Sequence, residues 1–402
     1  VLAECGDASI APAVIKIASS PNAAVREAAL QALGELGNAG AAGVLLEAAA
    51  GDDQAAAAAA RASLERLSGK GVELRLTAAL NRAATPVKIE AAKALAARGA
   101  RGAVPALLAA ASSQDSEARL EAIKALGQLA RASDVPCLLE LIAEEQNAAE
   151  RKAAENAAVL AAGRTEDPSQ RAAVALAALA ATEPSQLQRR LALIRIVARL
   201  GGDDALEAMR SALAADSLDV QTEALRALSE WQTAAPLQDL LAVAKSSTET
   251  TRQVLALRGF IQLLGRESDR SVDQTLALYA QAIGLAQRPD EKRLALGGIA
   301  AIADPKALQM AAGYLGASDT ASEAAAAIVN TPWLRANRSI APRSAKADRP
   351  WTVRPSAPPE AQVSRINTRL RAFAVPRQSE ISSAGRPCWR RSLAQRIRRP
   401  TN

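Results

Sequence analysis

The chain has 402 residues, with 49 Lys and Arg against 42 Asp and Glu, and contains no His. The lack of His excludes a Ser-His-Asp triad, an imidazole base and His metal ligands. Cys5, Cys137 and Cys388 stand isolated, with no C-x-x-C and no metal spacing.

Apolar residues make up 49% of the chain but aromatics only 2%. Ala and Leu must therefore fill the interior, which suits closely packed helices. Sustained period-2 alternation, the mark of strands, is missing. No run reaches the ~18–20 apolar residues needed to span a bilayer. The nearest, residues 172–181, stops at Thr182 and Glu183.

In chain order, residues 1–7 read V-L-A-E-C-G-D and align with the later Q-A-L-G-E-L-G-N. They read as the end of a helix whose start is missing, as in a piece cut from a longer array. From about Ser9 the chain reads as helical hairpins. The first helix of each, helix A, is often opened by proline. Pro12, Pro105 and Pro136 lead P-A-V-I-K-I-A, P-A-L-L-A-A-A and P-C-L-L-E-L-I, where proline suits a first helical turn. A polar turn follows, and then helix B begins with a small or β-branched residue, usually followed by a basic one: Arg26, Lys88, Arg119, Arg151, Arg189, Arg252 and Arg293, with Ala57 and Gln221 in that slot in two copies.

The clearest helix B is residues 115–130, D-S-E-A-R-L-E-A-I-K-A-L-G-Q-L-A. Ala118, Ala122, Ala125, Leu126 and Leu129 fall on one stripe of a 3.6-residue helix. Ser116 is the expected cap, with Asp115 and Glu117 near the positive end of the helix dipole. Helix ends at Gly6, Gly37, Ser68, Gly99 and Ala130 are 31 residues apart, and the series continues through Gly163, Gly201, Gln232, Gly265 and Ala303 at 33, 38, 31, 33 and 38. Such a period marks a solenoid. The two 38-residue steps hold insertions, at residues 164–170 and in a longer helix A over residues 271–286.

The repeats fade after residue 330. Residues 336–402 carry 14 Arg and 1 Lys against 3 acidic residues, a net +12, so the other 335 residues carry −5. This stretch holds 8 of the 19 prolines and reads as disordered. It admits three readings: an arm that binds nucleic acid or anionic lipid, a linker, or the product of a reading-frame shift.

The P-A-L-L opening of helix A, the basic start of helix B, the A-A-x-A-L-G-x-L-G close and the ~31-residue step together resemble HEAT repeats, specifically the short bacterial type of the phycobilisome lyases. The resemblance covers residues 1–330. It implies an all-α protein: an α-solenoid of about ten stacked hairpins with B helices lining a concave face, followed by the disordered tail at 331–402.

Candidate binding residues lie off the apolar stripe of the B helices. Glu90 and Lys93, Glu121 and Lys124, and Glu223 and Arg226 alternate acid and base, which also suits a solvated face with i,i+3 ion pairs. In later repeats the equivalent slots are apolar: Leu191 and Ile194, then Val254, Leu257 and Ile261. These read either as a patch for a partner or as additional core. The basic residues opening helix B are expected to pair with acids of neighbouring turns such as Asp7, Asp115 or Asp216. Gly201-Gly202 and Gly297-Gly298 lack the sequence of a phosphate loop, and Trp231 and Trp333 read as packing residues.

No catalytic, metal or cofactor constellation emerges. The leading expectation is a monomeric, non-catalytic scaffold that binds a protein through its concave face. Nucleic-acid binding, helped by the basic tail, is the alternative. A bilin-lyase-like enzyme or chaperone is a third, resting on repeat type alone.

Overall fold

The computed structural model describes residues 10–142, 147–317 and 319–332. The N-terminal fragment of helix, Cys5, Cys388, Glu144-Glu145, Trp333 and the basic stretch lie outside the described residues.

Among the described residues there are twenty α-helices and no strand. They follow one another as ten pairs, with A helices odd-numbered and B helices even-numbered. The first five pairs are α1 (Ala11–Ile17) and α2 (Ala23–Leu36), α3 (Ala41–Ala49) and α4 (Gln54–Arg66), α5 (Val72–Arg82) and α6 (Thr85–Ala97), α7 (Val104–Ala110) and α8 (Ser116–Leu129), and α9 (Val135–Glu140) and α10 (Ala148–Ala162). The remaining five are α11 (Ala173–Ala181) and α12 (Leu187–Leu200), α13 (Asp203–Leu213) and α14 (Leu218–Ser229), α15 (Leu237–Ser246) and α16 (Thr250–Leu264), α17 (Val272–Leu285) and α18 (Pro289–Ala300), and α19 (Pro305–Gly313) and α20 (Ala321–Asn330).

Local chemistry explains the boundaries. Pro12, Pro105 and Pro136 sit in the first turns of α1, α7 and α9, where a missing N–H costs nothing. Asn22, Asp53, Asn147 and Ser217 cap α2, α4, α10 and α14 by accepting backbone N–H groups of the first turn. At α8 the cap is Asp115, whose carboxylate accepts from Ala118 N at 3.3 Å, and not Ser116, which is the first helical residue. An extended backbone conformation at Asp115 (φ −79°, ψ 104°) lets its carboxylate fold back over the turn. The turn from α12 into α13 uses Gly201 and Gly202 at φ +70° and +96°, the left-handed region open to glycine. The insertion at 164–170 contributes a 3₁₀ turn over Pro168–Gln170.

Contacts divide the chain into two units, residues 1–298 and 299–402. In the first, the B helices form one layer, each packed on the next from α2 through α16. The A helices form a second layer, with α1 on α3, α3 on α5, α5 on α7 and α9 on α11. The core lies between the layers. Leu30, Leu33, Leu64, Leu95, Ile123 and Leu126 are fully buried there, each contributing roughly 1.5–3 kcal/mol. The predicted stripe of α8 is buried along its whole length. In the second unit α19 packs on α20 around Leu308, Ala311, Ala324 and Ile328.

Small residues set the spacing of the B layer. A Cβ on Gly259 of α16 would lie 2.8 Å from Ser229 Cα of α14, and one on Gly34 of α2 would lie 2.9 Å from Ser63 Cα of α4. These backbones approach too closely for any larger side chain.

Candidate functional site

Two sets of polar contacts tie successive B helices together at several junctions. At the N-terminal ends, the basic residue that opens one helix reaches the start of its successor. Arg26 pairs with the cap Asp53, Lys88 with the cap Asp115 at 3.9 Å, and Arg119 with Glu150 at 2.7 Å. Arg26 and Arg119 also donate to carbonyls six residues back, Ser20 O at 2.8 Å and Ser113 O at 2.6 Å. At the C-terminal ends, the side chain following one B helix donates to the last carbonyls of its predecessor. Arg98 reaches Leu64 O at 2.8 Å, Arg164 reaches Ala130 O at 2.7 Å, and Gln232 reaches Arg199 O at 3.2 Å. Cations at helix C-termini also oppose the helix dipole.

The side-chain hydrogen bond from Arg26 holds the Asp53 carboxyl below its ordinary range. The Thr85 hydroxyl, with Lys88, does the same for Asp115. These contacts occupy Arg26, Lys88 and Arg119, so those residues build the array. Of the other two expected partners, Asp7 lies outside the described residues and Asp216, within them, forms no ion pair with a helix-B opening.

The free face of the B layer carries a second row of charges, and here most of the candidate residues appear. Glu90 is 4% exposed. It accepts Arg61 Nε of α4 at 2.7 Å and Lys93 Nζ at 3.0 Å. Burial pushes its carboxyl up, but the two cations outweigh burial and hold it below the ordinary value near 4.5. Glu121 and Lys124 form an exposed pair at 3.1 Å. Glu223 and Arg226 are paired at 3.4 Å. Glu223 also meets Arg195 of α12 at 3.3 Å, and Arg195 grips Glu155 of α10, with Nη2 2.5 Å from Oε1. Arg195 thus bridges three consecutive B helices.

Two grooves open on this face. The smaller, about 240 Å³, brings together Arg61, Glu90, Lys93, Glu121 and Gln128 from α4, α6 and α8. The larger, about 730 Å³, spans α10, α12 and α14, with Arg195 at its centre. Its charged lining is Arg151, Lys152, Arg195, Arg199 and Arg226 against Glu155, Glu223 and Glu230. It lies at the first 38-residue step, where residues 164–170 lengthen the connection between α10 and α12.

The apolar candidates occupy different surroundings. Ile194 and Leu257 are 1% and 2% exposed, and Ile261 is 3% exposed. Leu191 and Val254 are half-buried. These slots sit in or beside the core between the layers, so they do not continue the charged row. Ile194 also lines a separate cleft of about 510 Å³ between α11 and α13. Trp231 is 5% exposed and packs at the end of α14. Sequence reasoning did not single out Glu155, Arg195 or Arg199. A signal was present in Arg195 and Arg199, spaced four apart on one helix face, but the insertion hid their register.

Among the described residues no group of His, Cys, Asp and Glu could hold a metal, and no helix is long and apolar enough to cross a membrane. Cys137 is free and exposed on α9.

Residues 1–65 and 73–158 match the family model for HEAT repeats. No curated protein matches the chain in sequence. Among solved structures, the chain is similar to the complex of CpcE and CpcF of phycocyanin lyase from Nostoc sp. PCC7120, at 19% identity and TM-score 0.28, over 68% of this chain and 93% of that one. It is also similar to an engineered protein, at 20% identity and TM-score 0.32, over 82% and 93%. A third is human deoxyhypusine hydroxylase in complex with glycerol, at 17% identity and TM-score 0.25, over 74% and 98%. At these values the likenesses carry no argument about what the chain binds or does. Residues 1–65 and 73–158 thus carry HEAT repeats, and the paired helices continue the same two-layer arrangement as far as α16.

Proposed function

We propose that the chain is a non-catalytic scaffold that binds a protein partner on the free face of its B helices. The observation that carries this reading is the larger groove, about 730 Å³ and lined by three consecutive B helices. The ties between repeats use side chains near the helix ends, whereas Lys152, Arg199 and Arg226 of the groove are exposed. Such a surface has the polar mixture of a non-obligate interface. Glu90, Lys93, Glu121 and Lys124 would extend it along the B layer, with Glu223 and Arg226 inside it.

Site-specific photo-cross-linking tests the proposal. A photoreactive residue at Gln128 or Ala227, both lining the grooves, is expected to trap a discrete protein from extract of the source cells. The same residue at Glu140, exposed on α9, is expected to trap none. Equal adducts from both layers, or none from the B helices, would overturn the reading. The +12 carried by residues 336–402 favours a second reading, nucleic-acid binding through that stretch.

A further inference from the structure

We infer that the large groove recognises an acidic peptide segment, extended across α10, α12 and α14, with carboxylates spaced about three residues apart. The inference rests on the scaffold reading and names the chemistry of its partner. The first 335 residues carry −5, yet the groove gathers five cations against three acids. The local sign is therefore opposite to that of the surrounding array, which is how a charged partner is steered to one place.

The cations divide by how they are used. Arg195 is committed to Glu155 and Glu223 and builds the floor. Arg199 gives Nη1 to the neutral Asn156 amide at 2.7 Å, so its charge remains available. Arg226 is 60% exposed and has only a share of Glu223. Lys152 is exposed on α10. Lys152, Arg199 and Arg226 thus offer one cation from each of three successive helices.

Packed helices lie ~8–10 Å apart, and an extended peptide advances ~3.3 Å per residue. An acidic residue at every third position would place a carboxylate over each helix crossed, within reach of these long, exposed side chains. Arginine can take a carboxylate in a two-pronged grip, and Asn156 lines the same groove.

Nucleic acid fits this lining poorly. Glu155, Glu223 and Glu230 stand inside the groove and would repel a continuous phosphate backbone, and the lining has no aromatic side chain on which a base could stack.

The test uses the full chain and a fluorescent dodecapeptide with Glu at every third position and Ser and Gly elsewhere. Residues 336–402 are basic and can hold the peptide on their own, so the readout must report location. A carbodiimide joins a bound peptide carboxylate to a nearby lysine amine. The expected result is an adduct at Lys152, at least a tenfold loss of affinity in the Lys152→Glu/Arg199→Glu double variant, and tighter binding in Glu230→Gln. Both reversed residues are exposed, and an unchanged melting curve would confirm that the double variant folds. Adducts confined to Lys346, unchanged affinity in the double variant, or an oligonucleotide that displaces the peptide from Lys152 would overturn the inference. Should protein cross-links at Ala227 persist in that case, the scaffold stands and only the acidic chemistry falls.

Discussion

At the scale of single residues, the two glycines Gly259 and Gly43 show how contact decides the sign of one substitution. Both are helical, and in an exposed helix Gly→Ala gains about 1 kcal/mol. Gly43 in α3 has nothing within 4 Å of a new Cβ, so Gly43→Ala is expected to raise Tm. Gly259 faces Ser229, and its new Cβ would press on backbone that cannot swing away. Gly259→Ala is therefore expected to cost about 1–3 kcal/mol. Thermal melts of the two variants, read side by side, check both directions. A Gly259→Ala chain as stable as the parent would mean that the α14–α16 seam is looser than described. Such seams were only partly legible in the sequence. The A-L-G close announced small residues at helix ends, but which glycine touches a neighbour depends on the crossing point of two helices 30 residues apart.

At the scale of elements, a buried carboxylate between two cations links α4 to α6. Removing Arg61 leaves Glu90 buried with Lys93 alone. Hydrogen bonds to charged groups contribute ~1.5–3 kcal/mol. Arg61 is half exposed, so water recovers part of that, and Arg61→Ala is expected to cost about 1–2 kcal/mol. The same contact predicts acid sensitivity. Glu90, Asp53 and Asp115 all titrate below their ordinary values in the folded chain. Unfolded chains therefore take up protons first as pH drops. The stabilisation is complete above about 4.5 and is lost as pH falls through the lower folded values. Urea midpoints measured from pH 7 to pH 3 should fall, and less steeply in Glu90→Gln than in the parent. A parallel pair of curves would remove Glu90 from the explanation. The pairing of Glu90 with Lys93 was readable from i,i+3 spacing. The Arg61 contact was not, because it joins residues on two helices whose rotation the period alone does not fix. For the same reason Ile194 and Leu257 entered the candidate row from sequence and the core in the structure.

At the scale of the molecule, a 31-residue step, proline-led A helices and basic B-helix openings made ten hairpins legible before any coordinates. Residue chemistry repeated at a fixed interval, and stacking follows because no hairpin covers its own apolar stripe. The large groove was not legible. It arises where the interval breaks, and an interrupted pattern records that something changed without recording how helices re-pack around it.

The ties at the ends of the B helices make repeats interchangeable. Arg26, Lys88 and Arg119 each find an acid at the start of the next B helix, so among these repeats a neighbour of the same design can substitute for the original. Removing residues 100–130 would place Pro136 six positions after Gly99, where Pro105 stands in the parent. Lys88 would then face α10, whose Glu150 already accepts Arg119, and a cation would again meet an acid. The shortened chain is expected to fold cooperatively, with a circular-dichroism melt of native steepness and helical signal reduced by about one hairpin. A broad melt would show that the hairpins are not equivalent. In this design length is a free variable: copies can be gained or lost by whole periods while both junctions stay chemically matched, and the grooves move along the array as units.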